Sequence, residues 1–186
     1  WPTYHIAYGA TKYTYFNSTI EARTYGQFWN NTEPTAEVFS IGSDADMSGN
    51  GRTHIAYCFA PVAGYSAFGT YDGNGTNKPF VYTGFRPRFV MIKCINNSSY
   101  AHWYMFDTSR SPHNVVSDES GLAANLSDFE GGLGGWNSNG PGDDALDILS
   151  NGFKMRLNST GGLNANGDTY LFAAFAEHPF KTARAR

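Results

Sequence analysis

Residues 50–60 read NGRTHIAYCFA, and residues 166–176 read NGDTYLFAAFA. Five of the eleven positions are identical, and Ile55 aligns with Leu171 as a conservative match. Side chains on a strand point to opposite faces in turn. Within 53–60, Ile55, Tyr57 and Phe59 therefore share one face, and the small residues Ala56, Cys58 and Ala60 share the other. A segment apolar on both faces reads as a strand buried on both sides. The same alternation runs through 89–94 (FVMIKC), 102–107 (HWYMFD), 152–157 (GFKMRL) and 38–41 (VFSI). Between them lie clusters of Gly, Asn, Ser and Asp at 48–51, 72–77, 96–99, 131–142 and 161–168. Such residues tolerate positive φ or bond their own backbone, so they mark turns. The best helical candidate is short, at 127–130. The pattern predicts an all-β protein, with antiparallel strands packed face to face as a jelly-roll-like β-sandwich.

The matching pair belongs to a longer echo. Trp1 answers Trp103, Trp29 answers Trp136, Phe39 answers Phe153 and Met47 answers Leu163, always in the same order. This predicts two diverged copies of one antiparallel unit, at residues 1–68 and 85–186, joined by a connector at 69–84. In that division Ile55 and Leu171 take matching interior seats. The second copy opens near Phe85 with the strand PRFVMIK, for which the first copy has no counterpart. Its open edge then invites pairing with a neighbouring chain, so a homo-oligomer is expected. The rival explanation of the echo is generic strand vocabulary recurring by composition.

Composition narrows the function. Charged residues are 16% of the chain, below the roughly 25% of a typical soluble domain. Aromatics reach 16%, and there are 21 glycines. A net charge of −3 does not suit a nucleic-acid binder, which needs a basic face for phosphates. No apolar run approaches the ~20 residues of a membrane span. Cys58 and Cys94 each sit inside an apolar run, which points to two buried free thiols.

Five histidines (His5, His54, His102, His113, His178) show no ligand or triad spacing, and no HExxH, GxSxG or P-loop occurs. No catalytic residue, metal site or cofactor is expected. Asp44, Asp46, Ser48 and Gly49 match the first half of a calcium loop. The position of that loop's terminal acid falls on Ile55, so a polar turn is the expected outcome. Trp29 and Trp136 sit beside Asn, Gly and Pro, and Tyr71 precedes Asp72-Gly73-Asn74-Gly75. A flat ring flanked by amides suits sugar recognition, with C–H groups on the ring face and hydroxyls on the amides. Trp29, Trp136, Tyr71 and Asn74 are the candidate ligand-binding residues. The reading weighed ahead of it has each Trp closing one end of a core.

The strings AYCFAPVAGYSAFGTYDGNGTNKPFVYTGFRPRFVMIK, WYMFDTSRSPHN, LSNGFKMRL and NGDTYLFAAFAEHPFK resemble a domain of unknown function. That domain recurs in structural, tail-fibre-like proteins of tailed bacteriophages. The resemblance implies a non-enzymatic virion component on the particle surface. Its leading role would be a tail-fibre or adhesin domain contacting host surface polysaccharide. The alternatives are a capsid decoration or assembly protein, and a carbohydrate-binding module or glycan depolymerase. Other virion subunits are the implied partners, and analogy with phage fibres implies a trimer.

Overall fold

The computed structural model of the protein describes residues 1–76, 78–99, 101–111, 115–117, 121–130, 144–156 and 162–178. In chain order the elements are β1 (Pro2–Thr3), β2 (Lys12–Tyr15), β3 (Arg23–Thr24), α1 (Ala45–Ser48), β4 (Ser66–Asp72), β5 (Phe80–Tyr82) and β6 (Pro87–Cys94). They continue with β7 (Tyr104–Asp107), β8 (Val115–Ser117), β9 (Leu122–Ala123), β10 (Asp144–Leu149), β11 (Gly152–Met155) and β12 (Thr169–Ala176). All pairings are antiparallel. The protein is all-β and sandwich-like.

Two sheets form the sandwich, one ordered β4-β12-β6-β7-β9 and the other β5-β11-β10-β8. Alternation decides which side chains enter. On β12, Tyr170, Phe172 and Ala174 point inward, and Leu171, Ala173 and Phe175 point outward. On β6, Val90, Ile92 and Cys94 go inward opposite them. The second sheet contributes Val81, Leu146, Ile148, Phe153 and Met155. Phe153 meets Tyr71 and Phe172 across the interior, with ring centroids 6.2 and 5.5 Å apart. Burying each large side chain stabilises the fold by about 1.5–3 kcal/mol. The pair β4·β12 lies in the five-stranded sheet and β5·β11 in the four-stranded one, so the chain crosses between the sheets from β4 to β5 and again from β11 to β12, the wrapping a jelly roll uses.

The first fifty residues build a smaller cap of order β1-β2-β3. Its core is Phe28, ringed by Tyr13, Tyr15, Tyr25 and Trp29 at 4.6–6.3 Å. The cap sits on the outer face of the five-stranded sheet. Trp103 Nε1 donates to Tyr15 O (2.9 Å), and the Trp103 ring lies 5.2 Å from Phe16. Ala22 N donates to Ile95 O (2.8 Å). Lys93, wholly buried on that face, donates to Ala101 O (2.6 Å) and Ser18 O (3.4 Å) under the Trp103 ring.

Several expectations change here. Residues 53–60 form no strand and every one is exposed; Ile55 is 82% exposed, whereas Leu171 is 1%. The two do not occupy matching seats. Trp1 and Trp103 differ in the same way, as do Phe39 and Phe153. The echo in the sequence is not matched by shared surroundings. All strands of the sandwich come from residues 66–176, and the 69–84 stretch supplies most of β4 and all of β5 rather than a connector. Tyr71 and Val81 are inward residues there, so the segment carries core as well as turns. Residues 38–41 are not a strand, and 127–130 is not a helix. The helix is instead α1, capped by Asp44, whose side chain accepts from Asp46 N (2.8 Å). Among the described residues no helix is long and apolar enough to cross a membrane.

Candidate functional site

The residues proposed for sugar contact are distributed differently from their sequence reading. Trp29 is buried in the cap, and its Nε1 donates to Lys12 O (3.1 Å). Tyr71 is buried in the sandwich, stacked on Tyr170 at 5.1 Å, and its hydroxyl donates to Leu163 O (2.8 Å). A ring with both faces packed presents no platform to a sugar, so Trp29 and Tyr71 are core anchors. Flanking Asn and Gly made them look like loop residues, but both rings turn into a core. The loop after β4 docks on the 164–168 turn: Asn74 N donates to Asn164 Oδ1 (3.1 Å), and Gly73 N to Asp168 O (2.8 Å). Asn74 is half-buried there. Trp136 lies outside the described residues.

The acids of the calcium-like stretch have protein partners. Asp44 caps α1 and also accepts from the Tyr25 hydroxyl (2.9 Å). Asp46 pairs with Arg52 (2.9 Å) on the surface. Among the described residues no group of three or more His, Cys, Asp or Glu could hold a metal ion. His5 is buried between cap and sandwich, 6.4 Å from the Phe68 ring, and its Nδ1 accepts from Ala7 N (3.1 Å). Burial holds its pKa below the ordinary imidazole range. His102 is held down too, first by burial and then by the Lys93 charge. Burial lowers Lys93 itself to about 8. Cys94 is buried and free, as the sequence suggested, but Cys58 is exposed because its segment leaves the sheets.

What the fold does present is residues 51–65. All fifteen are exposed. Ile55 (82%), Tyr57 (71%) and Phe59 (66%) are among the most exposed large apolar side chains of the molecule. The arm leaves the cap after Gly51 (φ 76) and enters β4 through a turn at 62–66 that contains Gly64 (φ 75). Only glycine adopts such φ values freely, so both ends are marked by it. At the turn Val62 and Ser66 exchange backbone hydrogen bonds (3.1 and 2.9 Å), and Ser66 Oγ donates to Ala60 O (2.7 Å). Phe59 lies against Phe175 on the sheet's outer face (5.6 Å). Phe175 is also met by Tyr65, Phe68 and Phe89 at 5.9–6.3 Å, so an aromatic cluster underlies the arm's base. From 53 to 59 no backbone hydrogen bond is formed among the described residues.

Comparison with known families bears on the whole of this arrangement. A family model, described as a domain of unknown function (DUF7483), matches residues 1–179. The chain belongs to this family. The DUF7483 match therefore takes in the cap, the arm and the sandwich together. No curated protein and no solved structure matches the chain.

Proposed function

We propose that this DUF7483 chain is a non-enzymatic structural subunit of a tailed-bacteriophage particle, assembled as a homo-oligomer on the particle's outer surface. The resemblance of its strand and loop strings to tail-fibre-like proteins gives the setting. The observation that carries the reading is the arm at 51–65. It exposes Ile55, Tyr57 and Phe59 on a backbone that forms no hydrogen bond from 53 to 59 among the described residues. Isolated exposed apolar residues are ordinary, but a contiguous run on free backbone marks a surface that another protein covers. Within the reading, a fibre subunit is the leading role and three copies the expected number.

Contact with host polysaccharide is the second reading, and one observation favours it. Phe80 (46% exposed) and Tyr82 (68% exposed) stand on the outside of β5, where rings remain open to a sugar face. Capsid decoration is the architectural alternative to a fibre. The test is electron microscopy of intact particles carrying a label on this chain. Label on the tail fibres supports the leading role, and label on capsid faces selects decoration. Particles without label contradict the virion reading. Retention of the purified chain on host cells, competed by their polysaccharide, tests the second reading.

A further inference from the structure

We propose that residues 53–60 of one chain add as an edge strand to β4 of a second copy of this chain. The inference rests on the reading of the chain as an assembling subunit and names its interface.

The arm is half of the argument. Its alternation is that of a strand covered on both faces, yet every residue is exposed, Phe59 alone meeting a ring of the sheet, and its N–H and C=O groups from 53 to 59 are unpaired among the described residues. A backbone of that kind is stabilised by a sheet edge, which supplies hydrogen bonds to the chain and pockets to alternate side chains.

The other half is the edge. β4 pairs with β12 along seven residues without a register shift, and beyond the Val62–Ser66 bridge at its start nothing described flanks it on its other side. Backbone groups alternate in direction along a strand. Tyr65 O and Gly73 N bond toward β12 and the 168 turn, whereas Ser66 bonds away from β12 to Val62. By that alternation the N–H and C=O groups of Phe68, Thr70 and Asp72 face outward. Natural edges are protected by Lys, Pro, a bulge or shortness. The other sandwich edges fit that rule. β9 has two residues, β5 has three and follows Lys78-Pro79, and β8 has three beside an irregular register. β4 (SAFGTYD) has none of these protections. Among the described residues it is also the longest open edge of the sandwich.

One chain thus carries both a strand without a sheet and an edge without a strand, of similar length. That self-complementarity selects a second copy as the occupant. Arm and edge are different surfaces, so the contact is heterologous and closes by reciprocal exchange or as a ring. The cis alternative is a hairpin continuing inward from the Val62–Ser66 bridge. The arm departs from that path, since Phe59 lies against outward-facing Phe175.

The test uses two variants of the chain, one on each side of the contact. Ile55→Glu/Tyr57→Glu spoils the arm and leaves β4 intact. Thr70→Pro removes an outward N–H from β4, where proline is tolerated because the ladder to β12 does not use that group. Near-UV circular dichroism matching wild type certifies that each variant is folded. Light scattering is expected to give an oligomer for wild type and a single chain for each variant. Mixing the two variants at high concentration is expected to recover a pair, because one supplies a sound edge and the other a sound arm. A wild-type chain that is single at micromolar concentration, variants that stay oligomeric, or a mixture that stays single would overturn the inference. Oligomers indifferent to both variants would leave the virion reading standing, and unlabelled particles would sink that reading without touching this contact.

Discussion

At the scale of single residues, burial decides more than sequence neighbours do. Trp29 and Tyr71 stand among Asn, Gly and Asp, yet each ring is enclosed and each polar tip reaches a backbone carbonyl. Trp29→Ala should therefore lower stability by about 3–5 kcal/mol, read as a large drop in denaturant midpoint. The histidines give a pH dependence with a definite sign. His5 and His102 have folded pKa values below the ordinary range because burial opposes the charged ring. Their contribution is present above the unfolded histidine pKa of about 6.5 and is lost as pH falls through the depressed folded values. Unfolding free energy should thus decline on acidification from neutral pH, and His5→Gln should flatten that decline in the same titration.

Elements were legible where alternation met a partner inside the chain. Residues 89–94 form the greater part of β6 because Val90, Ile92 and Cys94 find the opposite sheet and the cap covers Lys93. Residues 53–60 show the same alternation and no strand, because periodicity reports which surroundings a segment tolerates, not which chain supplies them. β4 and β5 were hidden for the reverse reason: glycine, asparagine and proline around them signal turns more loudly than Tyr71 and Val81 signal core. The turn after β4 is nonetheless tightly specified. A Cβ at Gly73 would collide with Ala165 O and crowd the Tyr170 ring. Gly73→Ala should cost about 1–3 kcal/mol in chemical denaturation and loosen the Tyr71–Tyr170 stack, visible in the near-UV spectrum.

For the whole molecule, the cap and sandwich are joined by a seam whose polar centre is Lys93. Its ammonium holds Ala101 O and Ser18 O beneath Trp103, so removing it leaves two carbonyls without that donor. Lys93→Met should lower stability by about 1–3 kcal/mol and speed proteolytic release of the cap relative to the sandwich. No sequence pattern announced that seam, because it joins residues far apart in the chain that meet only after both sheets exist. The same holds for the arm, whose proposed partner is a separate copy. Association through residues 53–60 is the claim on which the account turns, and amide hydrogen exchange measured against chain concentration tests it most directly. The account predicts that alternate amides of 53–60, with those of Phe68 and Thr70, gain protection together as concentration rises. Exchange at unstructured-chain rates at every concentration, or protection that does not vary with concentration, would contradict it.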